Sequence, residues 1–171
     1  MNSKQIVAAI SAVVLVVILV YPALSTGTVA IHLQSAKIEQ ADHVYVSVGD
    51  VFAHRAGQPS TDGWELVSNQ SQTVDLVSLQ GTPMSLGNGQ VPLGGYDGIR
   101  LAVSNVTWVF NKTTTRLSVQ VPTLQSSLQF TAQAGREATL TVVLSGHVED
   151  VQGSKFFVPS MNVTLGGVPG S

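Results

Sequence analysis

Residues 99–121 read IRLAVSNVTWVFNKTTTRLSVQV, and the spacing of their apolar side chains decides the fold. Ile99, Leu101 and Val103 alternate with Arg100, Ala102 and Ser104. That period of two turns one face of a strand to a core and the other to water. Val106, Trp108 and Phe110 resume the alternation out of phase, so Ser104-Asn105 reads as a bulge. Asn111-Lys112-Thr113 then makes a hairpin turn into Leu117, Val119 and Val121.

The same period runs outward in both directions. Upstream, Val29, Ile31 and Leu33 form one strand and Val44, Val46 and Val48 another, with a bulge expected at Gly49-Asp50. Arg55 to Gly63 reads as a polar loop, Trp64 to Val67 as a short strand and Val74 to Leu79 as a further one. Gly81 to Gly95 is dense in Gly and Pro and reads as loop, with a turn at Gly87-Asn88-Gly89. Downstream come Leu128 and Phe130, a turn at Ala134-Gly135-Arg136, then Leu140, Val142 and Leu144, then Phe157 to Leu165. About eight or nine strands at such spacings, with no amphipathic helix among them, predict an all-β, antiparallel sandwich or barrel over residues 26–171.

Residues 1–25 are of another kind. Ile6 to Val20 reads IVAAISAVVLVVILV, and no charge falls between Lys4 and Lys37. Three readings stay open. It is a signal peptide cut between Ser25 and Thr26, with Lys4 as its positive end and Pro22 breaking the helix. It is an uncleaved anchor, close to the ~20 apolar residues that span a bilayer. Or it is a prepilin signal cut after Gln5, whose apolar helix becomes a filament core. Each predicts an N-terminal hydrophobic helix, contact with the membrane before or without cleavage, and a domain that works at the cell surface or outside the cell.

Charge and cysteine narrow the partners. Formal net charge is −2 and 11% of residues are charged, so no basic face for nucleic acid is expected. Cysteine is absent, which excludes disulfides and thiolate metal sites. Four sequons occur, at Asn69, Asn105, Asn111 and Asn162, although the chain holds only six Asn. That excess over the one or so expected by chance points to N-glycosylation of an exported protein.

Several blocks resemble a known family. They are GTVAIHLQSA, DHVYVSVGDVFAHRAG with Gly63-Trp64 following, TVDLVSLQG, VPLGGYDGIRLAVSNVTW, LQFTAQAGREATLTVVL and KFFVPSMNVT, which together span residues 27–165. In this order they resemble the secreted archaeal and bacterial "domain of unknown function 4382" family. Its most specific piece here is Gly95-Tyr96-Asp97-Gly98-Ile99-Arg100-Leu101. The resemblance implies an exported β-sandwich of Ig-like or prealbumin-like character and no established activity. The family's acidic positions after two strands are Gln34-Ser35 and Ser145-Gly146 here, so a shared cation site is not carried over.

Candidate chemistry is sparse. His32, His43, His54 and His147 are scattered and form no zinc pattern. Asp50 and His54 near His43 make one candidate imidazole–carboxylate site, weighed against plain surface histidine. Glu149-Asp150 suits a calcium contact or a solvated turn. Tyr96 is expected to hydrogen-bond back to loop backbone, and Arg100 to lie on the solvated face. No nucleophile elbow, phosphate loop or dinucleotide fingerprint is present, so no enzyme, metal or cofactor is expected. The expected function is an exported structural or adhesive protein, as in a glycosylated filament. Subunits would join by strand complementation, with Val29, Ile31 and Leu33 filling a neighbour's core. The alternatives are a carbohydrate- or ligand-binding module built on converging Trp64, Trp108 and Tyr96, and an anchored or pilin-like envelope protein.

Overall fold

The computed structural model describes residues 25–38 and 41–166. The expected N-terminal helix, with residues 1–24, lies outside the described residues. Among those described, no helix is long and apolar enough to cross a membrane.

The described residues form ten strands: β1 (Thr26–Ser35), β2 (His43–Arg55), β3 (Trp64–Ser68), β4 (Gln72–Asp75), β5 (Met84–Pro92), β6 (Gly94–Phe110), β7 (Thr113–Val119), β8 (Thr123–Ala132), β9 (Glu137–Val151) and β10 (Ser154–Leu165). The all-β class is as expected, and the strand number is slightly higher. Four strands make one layer in the order β5-β1-β9-β10. In the other, β2 and β6 are central; β3 and β4 lie end to end along β2, and β7 and β8 along β6. A short parallel pairing of Ser118 and Val119 with Phe156 and Phe157 joins the layers through β7 and β10. At the far side β3 closes on β5, where the Ser68 hydroxyl donates to the Leu86 carbonyl at 3.0 Å. The result is a nearly closed barrel, not a clearly Ig-like sandwich.

Three local expectations hold. Gly49-Asp50 falls where β2 slips against β6, between Val48 and Val51. Asn105 is the extra residue at a second slip and has a φ of 47°. Asn111 and Lys112, with φ of 49° and 63°, form a two-residue turn between Phe110 and Thr113.

Three others do not hold. The sheet is not wholly antiparallel, because β1 runs parallel to β9 from Thr28↔Glu137 to Ser35↔Leu144. Alternation reports which face is buried and is silent on a neighbour's direction. Gly81 to Gly95, expected as loop, contains β5, whose glycines hide its alternation. Gly87 and Gly89 lie within the strand, and a Cβ on Gly89 would stand 2.0 Å from the Val67 carbonyl oxygen of β3. Finally, β4 stops at Asp75: its Oδ1 accepts from the Val77 backbone N–H at 3.1 Å and turns the chain before Leu79.

The core lies between the layers. Val29, Ile31 and Leu33 of β1 are fully buried beside Leu140 and Val142 of β9, in one core cluster with Ile99 and Leu101 of β6. Residues 36–42 alone connect β1 to β2.

Candidate functional site

The outer face of the β2–β6 layer carries a connected polar cluster. His54 of β2 lies opposite Trp64 of β3 on one side and Gly98 of β6 on the other. β6 has one more residue than β2 at this point, since His54 pairs with Gly98 and Arg55 with Tyr96. The residue left over is Asp97. This bulge turns its carboxylate toward His54 on the same face as Gly98.

The imidazole is held from both ends. Its Nδ1 lies 2.6 Å from Asp97 Oδ1, and its Nε2 lies 3.1 Å from the Pro59 carbonyl oxygen. Both partners are acceptors, so the ring satisfies both only when each nitrogen carries a proton. The Asp97 hydrogen bond, with that of Pro59 behind it, raises the His54 pKa above its ordinary value, and burial opposes the rise. A protonated His54 therefore ties the loop at Pro59 to the sheet. It has no free nitrogen with which to act as a general base.

Trp64 adds a second tie to that loop, because its Nε1–H donates to the Ser60 carbonyl at 2.9 Å. Its ring packs against His54 with centroids 4.8 Å apart. The Arg100 guanidinium sits 3.8 Å from the Trp64 ring centroid, in cation–π contact. With its amide oxygen turned inward, Gln125 accepts from Arg100 Nε at 3.1 Å and Nη2 at 3.0 Å. Arg100 is thus on the outer face, as its parity predicted, but it is engaged there.

Tyr96 faces the core. Its hydroxyl donates to the Pro92 carbonyl at 2.8 Å and its ring stacks on Phe130. Burial pushes its pKa up, so it stays a donor at ordinary pH. The expected bond back to upstream backbone is present, and its acceptor is the last residue of β5 rather than a loop.

Other expected constellations separate. His43 pairs with Asp75, Nδ1 to Oδ2 at 2.7 Å, and His54 with Asp97, so Asp50 is the carboxylate of neither pair. Trp108 packs near Phe157 while Trp64 lies in the His54 cluster and Tyr96 is buried, so the three aromatics do not form one platform. Asp150 Oδ1 accepts from the Gly153 N–H at 2.9 Å and closes the β9–β10 turn. Among the described residues no group of three metal-ligating side chains occurs. Asn69, Asn105, Asn111 and Asn162 are all exposed. Thr26 opens β1, and the carbonyl of Ser25 accepts from the Leu93 N–H at 3.2 Å.

The block Gly95 to Leu101, the most specific in the sequence, thus supplies Tyr96 to the core and Asp97, Gly98 and Arg100 to the cluster. The profile of "Domain of unknown function (DUF4382)" matches residues 26–149. The chain belongs to this family. The match runs from the first residue of β1 into β9. It stops short of β10 and its KFFVPSMNVT block, which here completes the first layer beside β9. No curated protein and no solved structure matches the chain. The pairing of His54 with Asp97 was not anticipated. The signal available was Asp97 beside Gly98, a glycine within a strand pattern.

Proposed function

We propose that this DUF4382 protein is a non-enzymatic, exported surface protein whose domain assembles by exchange of β1 between copies. The observation that carries the reading is the setting of β1. It lies between β5 and β9, so its backbone is paired along both edges. Burying a Val, Ile or Leu stabilises by about 1.5–3 kcal/mol, so Val29, Ile31 and Leu33 together form a large apolar contribution. The strand is also the first element after the apolar leader and is joined to the rest only through residues 36–42. If the β1 of a neighbouring copy filled the same slot, every one of these contacts would be kept, which makes exchange a low-cost route to a polymer.

Supporting features belong to the same reading. Four exposed sequon asparagines suit glycosylation of an extracellular surface. The wrapped sheet is taken as prealbumin-like, two curved layers over one core. Recovery of the protein from its native cells tests the proposal. N-terminal sequencing and intact mass report leader processing and glycans, and electron microscopy of the same preparation reports polymers. A chain beginning at Thr26 within polymers is the expected result. A monomer that keeps Met1 and forms no filaments contradicts it.

A further inference from the structure

A cleft of about 560 Å³ lies between the 56–63 loop and β8, over the His54–Asp97 pair. Its size falls within the roughly 300–1,000 Å³ of small-molecule sites. Three observations define what it suits. The floor is kept open by Gly98, where an added Cβ would already stand 3.4 Å from the Cβ of His54. The two charged groups that line it, His54 and Asp97, are paired with each other, so the lining has no net charge to recruit an ion. The walls carry uncharged hydrogen-bonding groups: Gln58 on the loop, and Ser127 and Gln129 on β8. Among the described residues the side chains of these three make no hydrogen bond, so their amides and hydroxyl point to a solvent-filled space with donors and acceptors in hand.

We propose that this cleft binds a neutral oligosaccharide through hydrogen bonds from Gln58, Ser127 and Gln129. A sugar chain presents many hydroxyls, each both donor and acceptor, which is the complement of side-chain amides. His54 and Trp64 do not contribute by stacking, because their rings pack on each other and Arg100 covers the Trp64 ring. Their part is to fix the loop through Pro59 and Ser60, so that Gln58 faces β8 before ligand arrives. The site is independent of β1 exchange and stands or falls separately.

Titration of the amide-labelled protein with cellotetraose, chitotetraose, mannotetraose and maltotetraose, each to about 10 mM, tests the inference by NMR. At least one should shift the resonances of Gly98, Ser127, Gln129 and the Trp64 indole N–H, leaving the Trp108 indole unmoved. The double variant Gln58→Ala with Gln129→Ala removes two exposed side chains and should weaken that sugar about tenfold or more. Gly98→Val fills the floor and should abolish binding, with the Tyr96 and Phe130 signals reporting that the core is intact. No shift with any of the four sugars, shifts outside the cleft, or undiminished binding by the double variant would overturn it.

Discussion

β1 and the His54 cluster are both tied to the β-barrel, but by opposite means. β1 is held by burial, with Val29, Ile31 and Leu33 at 0% exposure and backbone pairing on either side. The cluster lies on the outer face and is held by directed polar contacts: Asp97 to His54, His54 to Pro59, Trp64 to Ser60, Arg100 over Trp64. Burial is non-directional, so the same apolar slot serves any copy of the strand. Directed contacts specify one geometry of one loop. The first arrangement suits assembly and the second suits a preformed site.

The difference can be broken from the β1 side first. Ile31→Ala empties a fully buried position and should destabilise the domain by about 2–5 kcal/mol in a denaturant melt. Gly89→Ala should cost about 1–3 kcal/mol or more by the same measure, because its Cβ meets the Val67 carbonyl at 2.0 Å and β3 must move away from β5. On the cluster side, Asp97→Asn removes the charged acceptor from His54 and should cost about 1–3 kcal/mol.

pH separates the two regions. The His54 pKa is raised on folding, so its contribution is complete below the unfolded value of about 6.5. It is lost as pH rises through the higher folded value, when one of the two hydrogen bonds loses its proton. Stability measured across this window should therefore fall with rising pH in the parent protein. That component should be kept by Ile31→Ala and flattened by Asp97→Asn; an identical slope in both variants would contradict the role given to the pair. The smallest effect is expected for Arg100→Ala, about 0.5–2 kcal/mol for a half-buried cation–π contact.

Much of the barrel was legible because side-chain alternation records burial directly. Val29 to Leu33, the Asn105 bulge and the Asn111-Lys112 turn are all written in local spacing or in residues that tolerate positive φ. β5 was not, since glycine has no side chain to alternate, and its place is set by the approach of Val67 from another strand. The parallel pairing of Thr28 with Glu137 is a contact between distant parts of the chain that no local pattern records. The cluster was half legible. Arg100 followed from parity and the Tyr96 hydrogen bond from its place at a strand entry, but the partner of His54 depended on a register slip that brings Asp97 rather than Asp50 beside it.

Exchange of β1 can be read most directly from a disulfide. Thr28 of β1 and Gln90 of β5 are register partners, and the chain has no cysteine of its own. Thr28→Cys with Gln90→Cys, exported in native cells and oxidised, should link copies and give a ladder of oligomers on a non-reducing gel that collapses on reduction. A bond formed only within monomers would mean that each domain keeps its own β1, and would contradict the account.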